Sequence, residues 1–202
     1  MKNKGCLIIG IVLVVIVGFL GMGACSSYNG MVDLSQAVDR QWGQVQNQYQ
    51  RRADLIPNLV NTVKGYAEHE SSTLESVTNA RAGLNKAYEN AEALKGDQQE
   101  NLQQFQQAQS ALKGALDIYV NAVREAYPDL KANTNFLDLQ SQLEGTENRI
   151  ATERKRYNEE VEKYNVKVMR FPANIFAGIF GFHKRDMFAA DAAAQTAPQV
   201  QF

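Results

Sequence analysis

Phe136, Leu143, Ile150, Tyr157, Tyr164 and Phe171 stand seven residues apart in an unbroken row. A helix returns a side chain to nearly the same face every seven residues, whereas a strand would place successive members of this row on opposite faces. The row therefore commits the last third of the chain to one long helix with a buried seam, starting near Asn133 or Thr134. Its companion row is mixed: Gln140, Glu147 and Arg154 come before Val161 and Val168. One apolar row beside a polar one suits a helix on the side of a small bundle better than a dimeric zipper. The pattern allows an oligomer without indicating one.

The upstream chain repeats the same rhythm. Met31, Leu34, Val38, Trp42, Val45 and Tyr49 step by three and four, as a one-sided helix requires. Asp54 is placed to cap a new helix with Pro57 in its first turn, where a missing N–H costs little. Ile56, Leu59, Val63, Tyr66, Leu74, Val77, Leu84 and Tyr88 carry the second helix to about Leu94, with a kink or local exposure expected where Glu70 takes a core position. Gly96 reads as a stop, and Asp97-Gln98-Gln99-Glu100 has capping-box spacing. Leu102, Phe105, Leu112, Leu116, Tyr119 and Val123 mark a third helix, which Pro128 ends. No segment alternates as a strand does. The fold class predicted is all-α: an antiparallel four-helix bundle of long helices, preceded by an N-terminal transmembrane or signal-anchor helix.

That anchor is read from Gly5 to Ala24, an uncharged stretch behind Lys2 and Lys4. Twenty helical residues extend about 30 Å, the hydrocarbon thickness of a bilayer. Lysines on the N-terminal flank favour a cytoplasmic N-terminus and a bundle outside the cytoplasm of a bacterial cell. Met22-Gly23-Ala24-Cys25 resembles a lipoprotein processing site, although such sites prefer Leu at the position of Met22, so a lipid-anchored envelope lipoprotein modified at Cys25 is the alternative. The segments expected are residues 1–27 as anchor, 28–170 as bundle, 171–185 as an apolar and basic segment, and 186–202 as an Ala- and Gln-rich tail with little to pack.

Composition narrows the chemistry. With 21 basic and 22 acidic side chains the chain lacks the basic excess of a nucleic-acid binder. Two histidines and two cysteines, both cysteines in the anchor region, leave little for metal ligation and no disulfide in the bundle. His69-Glu70 resembles a metalloprotease pair, but the fourth residue after His69 is Thr73. No phosphate-binding glycine loop or nucleophile motif occurs, so no catalytic residue, metal ligand or cofactor is expected.

Two regions remain as candidate contact sites. An up-and-down path places the connections Arg51–Pro57 and Tyr127–Asn135 at one tip, presenting Arg51, Arg52, Asp54, Asp129 and Lys131 to an envelope protein partner. A cap at Asp54 with local ion pairs is the structural reading of the same residues. The second region is Phe171–Phe182, in which Ile175, Phe176, Ile179 and Phe180 share a helical face. It is too short to span a bilayer, so it is expected either to cover the open end of the bundle or to lie in the membrane interface. In the second case Phe171, Ile175, Phe176, Ile179, Phe180 and Phe182 enter the interface, with Lys184 and Arg185 near headgroups.

Arg51-Arg52-Ala53-Asp54-Leu55-Ile56-Pro57-Asn58-Leu59-Val60, then Thr62-Val63-Lys64-Gly65-Tyr66-Ala67 and His69-Glu70, resemble the signature of the LemA family. Phe136-Leu137-Asp138-Leu139-Gln140 and Leu143-Glu144-Gly145-Thr146-Glu147-Asn148-Arg149-Ile150 resemble its second signature. Arg156-Tyr157-Asn158, Tyr164-Asn165, Phe171-Pro172 and Phe180-Gly181-Phe182 resemble its C-terminal pattern. The similarity extends over about Tyr28 to Phe188. It implies a membrane-anchored helical bundle with no established enzymatic activity. The function expected is a non-enzymatic, membrane-tethered scaffold or adaptor. The second reading is a membrane-organising module that contacts the bilayer at both ends, and a hydrolase comes third because it needs a cleft of convergent carboxylates.

Overall fold

A computed structural model describes residues 2–67, 75–93 and 101–189, without the side chains of residues 2–9, Ile16, Phe19, Leu20 and Lys131. It holds α1 (Lys2–Ala67), α2 (Glu75–Ala93), α3 (Leu102–Ala126), a 3-10 turn (Pro128–Ala132), α4 (Thr134–Met169) and α5 (Ala173–Phe180). The protein is all-α, with no strand among the described residues.

The main departure from the sequence reading is α1, which continues through Asp54 without a break and carries Pro57 in its interior. Asp54 does not cap a helix; it lies exposed and accepts a bond from Gln50 Nε2 at 2.7 Å, one turn back. An interior proline costs about 3 kcal/mol. Against that cost stand Leu55, Ile56, Leu59, Val60 and Val63, all buried around it. Each contributes roughly 1.5–3 kcal/mol on burial, so a continuous helix wins. Pro57 itself faces solvent. Arg51–Pro57 is therefore not a connection. The chain between α1 and α2, the expected irregularity at His69-Glu70, the stop at Gly96, the capping box at Asp97 and residues 190–202 of the tail all lie outside the described residues. The start of the tail, residues 186–189, does pack, with Phe188 buried, contrary to the sequence reading.

Downstream, the stop at Pro128 and the start near Asn133 agree with the structure. Leu102, Phe105, Leu112, Leu116, Tyr119 and Val123 are buried along α3, and Pro128 opens the 3-10 turn. Asn133 caps α4, its Oδ1 accepting the backbone N–H groups of Asn135 and Phe136 at 3.0 and 3.2 Å. The seven-residue row is buried from Phe136 to Tyr164, but Phe171 is 76% exposed. α4 ends at Met169 and the chain turns at Phe171-Pro172, so the sixth member of the row leaves the seam.

The chain forms two compact units, residues 1–43 with 156–186 and residues 44–155 with 187–202. In the first, Trp42 packs on Tyr157 with ring centroids 5.3 Å apart, among buried Met31, Val38, Val161, Tyr164 and Val168. In the second, one core joins Ile56, Leu59 and Val63 of α1, Val77 and Leu84 of α2, Leu112 to Val123 of α3, Tyr127, Leu130, and Phe136 and Leu143 of α4. Tyr49 meets Phe105 edge-on at 5.0 Å and Tyr66 meets Tyr127 at 6.0 Å, so α1 and α3 run in the same direction there. Among the described residues no helix is long and apolar enough to cross a membrane. The anchor read at residues 1–27 falls partly on side chains outside the description.

Two measurements check this account. Pro57→Ala gains the hydrogen bond an interior proline lacks and should stabilise the protein by about 2–3 kcal/mol in urea unfolding; a first-turn proline would give almost no gain. Burial pushes the Tyr119 hydroxyl from 10.0 up to about 12, reinforced by Tyr127 and opposed by Arg81. A raised acid pKa means the folded state holds the proton more tightly than the unfolded chain. Stability from this group is therefore complete below pH 10 and lost as pH climbs toward about 12. Tyr119→Phe should flatten that alkaline decline.

Candidate functional site

Arg52 is the most unusual side chain in the second unit. It is a guanidinium only 2% exposed. It occupies the fourth place in a seven-residue row, Met31, Val38, Val45, Arg52 and Leu59, whose other members are all fully buried. Its Nη1 donates to Glu147 Oε1 at 2.7 Å. Its Nη2 donates to the Gln109 side-chain oxygen and also approaches the Gln109 carbonyl at 3.4 Å. The guanidinium lies over the Tyr49 ring, 5.2 Å from its centroid. Gln109 is itself buried and interrupts a second row, Leu102, Gln109, Leu116 and Val123. Glu147 belongs to the polar companion row of α4. Three polar interruptions on three helices thus converge on one point, and a planar fork of donors meets a carboxylate and an amide oxygen.

Beside this cluster, α3 and α4 border a groove of about 590 Å³ lined by Lys113, Asp117, Arg124, Glu144 and Glu147 among others. Its three carboxylates each accept a bond from a neighbour: Asp117 from Lys113, Glu144 from Gln140 and Glu147 from Arg52. The bond to Asp117 raises the Lys113 ammonium above its ordinary value, more than partial burial lowers it. Asp117 and Glu147 are thus met by cations and Glu144 by a neutral amide. Among the described residues no group of three or more His, Cys, Asp or Glu side chains could hold a metal ion.

In the first unit the residues after α5 form an extended strap. Asn165 clasps it reciprocally, donating to the Arg185 carbonyl and accepting the Arg185 N–H, both at 2.9 Å. The Tyr157 hydroxyl donates to the Asp186 carbonyl at 3.4 Å. Arg185 reaches Asp39 and donates to Ser35 Oγ at 2.9 Å, lying over the Tyr164 ring. In the second unit Gln106 clasps Ala189 in the same two-way fashion, at 2.8 and 3.2 Å, while Arg154 covers the Phe188 ring. Side-chain amides here supply the backbone partners that a neighbouring strand would otherwise provide.

The sequence-predicted residues are dispersed by this arrangement. Arg51 and Asp54 are exposed on α1 and Asp129 is exposed in the 3-10 turn, while Arg52 is buried. The tip expected to unite them does not form, because Tyr66, one residue before the end of α1, is the residue that meets Tyr127. The Lys131 side chain lies outside the description. Arg185 is held against Asp39, whereas Lys184 is exposed. Gln109 was absent from the expected residues, and Arg52 was expected on the surface. The seven-residue row through Arg52 was the signal that could have found it, but a helix boundary at Asp54 conceals that row.

The sequence model of the LemA family matches residues 41–202. The chain belongs to the LemA family. The matched region includes Arg52, Gln109, Glu147 and the strap, and begins after the apolar run. The chain is also similar to magnetosome protein MamQ 2 of Paramagnetospirillum magneticum, 28% identical over 188 residues covering 84% of this chain and 67% of that protein. MamQ of Magnetospirillum gryphiswaldense is 26% identical over 195 residues, 86% of this chain and 70% of its own length. Protein LemA of Metamycoplasma hominis is 25% identical over 146 residues, 72% of this chain and 61% of its own.

The polar cluster of this LemA-family chain makes a quantitative prediction. Glu147→Ala leaves the buried Arg52 charge without its carboxylate and should cost about 3 kcal/mol or more in urea unfolding. Arg52→Met with Glu147→Leu removes both charges and should recover most of that loss.

Proposed function

We propose that this LemA-family protein is a non-enzymatic, membrane-tethered scaffold that holds an antiparallel four-helix bundle outside the cytoplasm for contact with an envelope protein. The observation that carries this reading is the two-faced character of α1. At one end Ile11, Val12, Leu13, Val14, Val15, Val17 and Met22 are all at least half exposed. Farther along the same helix the apolar residues Met31, Val38, Trp42 and Val45 are buried. A contiguous exposed apolar surface of this kind is costly in water and natural in lipid. With Lys2 and Lys4 ahead of it, the run reads as a retained single-pass helix with a cytoplasmic N-terminus, and a lipid on Cys25 is the alternative tether. The internal pairing of the carboxylates in the α3–α4 groove supports a structural rather than a catalytic role.

The full chain expressed in a bacterium should stay in the membrane pellet after alkaline carbonate extraction, with an intact mass that includes residue 1. Leu13→Arg places a charge at the centre of the run, at a cost of about 2.5–3.5 kcal/mol, and should move protein into the soluble fraction. Recovery of the unchanged chain in the soluble fraction would contradict the tether. A mass showing cleavage before Cys25 plus lipid would select the alternative.

A further inference from the structure

We propose that the outer face of α5 lies in the headgroup layer of the same membrane that holds the N-terminal helix, so that the first unit meets the bilayer at two places. This rests on the tether reading. α5 is inside out for a helix in water. Its buried positions are Ala173 and Ala177, while Ile175 is 53% and Ile179 70% exposed, with Phe171 and Phe180 also exposed. Water would select the opposite arrangement, with the large apolar side chains inside.

Where this face sits decides what covers it. α5 ends at Gly181, whose left-handed φ of 77° lets the Phe182 N–H donate to the Ala177 carbonyl at 2.9 Å. That turn brings Phe180 and Phe182 edge-on against Tyr28 of α1, with ring centroids 5.0 and 5.7 Å away. Tyr28 is four residues beyond Ala24, so it lies about 6 Å along the helix from the end of the apolar run. Hydrocarbon of about 30 Å within a bilayer of about 40–45 Å leaves a headgroup layer of roughly 5–8 Å on each side. Tyr28, Phe180 and Phe182 therefore stand at headgroup depth, where Tyr concentrates in membrane proteins and where interfacial helices bury Phe on their apolar face. Eight residues cover about 12 Å, enough to lie in that layer and too few to cross the bilayer.

The charges agree. No acidic residue occurs between Lys163 and Arg185, nor on α1 between Lys4 and Asp33. The Lys167 side chain runs across α1 at Gly30, where an added Cβ would stand 3.3 Å from Lys167 Cε. Arg170 and Lys184 are exposed beside α5. This basic rim around an apolar face is complementary to anionic lipid, and it does so without Arg185, which Asp39 retains.

Photo-crosslinking in the full chain tests the placement. Benzoylphenylalanine is introduced singly at Phe171, Ile175 or Ile179, and at exposed Leu137 of the second unit as reference, in vesicles of phosphatidylcholine and phosphatidylglycerol. Carbonate-resistant protein should give lipid adducts at 171, 175 and 179 at several-fold the yield at 137. Carbonate-resistant protein with no excess of lipid adducts at these positions overturns the α5 proposal and leaves the tether standing. Adducts to a second copy of the chain in place of lipid overturn it equally. Protein stripped from the vesicles by carbonate overturns the tether reading and this proposal together.

Discussion

A guanidinium buried among apolar side chains can be tolerated only where its donors find fixed acceptors, because the low-dielectric interior makes an unpaired charge very costly. Arg52 meets this condition at both Nη atoms by drawing Glu147 from α4 and Gln109 from α3, and it rests on the Tyr49 ring, while its buried Nε finds no acceptor. Apolar seams slide with modest penalty, since one Leu or Val replaces another at each seven-residue step. This triple does not slide. Displacing α1 by one step would set Arg52 against apolar neighbours and leave Glu147 without its donor. The pairing thus selects one register of α1, α3 and α4 in the second unit, in the way a polar residue at a core position selects register in a coiled coil.

The first unit is organised by a different constraint, the supply of backbone partners to a chain that has left its helix. Asn165 answers both the N–H and the carbonyl of Arg185, and Tyr157 takes the Asp186 carbonyl. With these groups satisfied, the strap is held without a sheet, and Arg185 is drawn onto Asp39 and Ser35. The same folding-back sets α5 with alanines inward and Phe and Ile outward. Tyr157 and Tyr164 are core residues with polar ends, and Asn165 bonds to the strap, an architectural use of the Tyr-Asn pairs rather than a chemical one.

Much of the fold was legible because periodicity is a physical consequence of helix geometry. The rows of α3 and α4, the stop at Pro128 and the start beside Asn133 follow from side-chain spacing, a missing N–H and a capping amide. The break assigned to Asp54-Pro57 was not there, since local cap and proline signals were outweighed by apolar burial on both sides of Pro57. With a turn at Arg51–Pro57, Arg52 belonged on an exposed corner; with the helix continuous, it falls on the row from Met31 to Leu59 and must be buried. Gln109 was hidden in a glutamine-rich stretch, where a single buried amide looks the same as its solvated neighbours.

By itself the sequence determined that the chain is helical, which faces of α3 and α4 carry apolar side chains, and that an uncharged run of bilayer length precedes them. These properties depend on residues near one another in the chain. Tertiary structure alone decided that Arg52, Gln109 and Glu147 meet, that Arg185 serves Asp39, and that α5 turns its large side chains outward. The physical reason is that a polar side chain's position in a helical row is set locally, whereas the partner that makes its burial tolerable comes from 57 or 95 residues away.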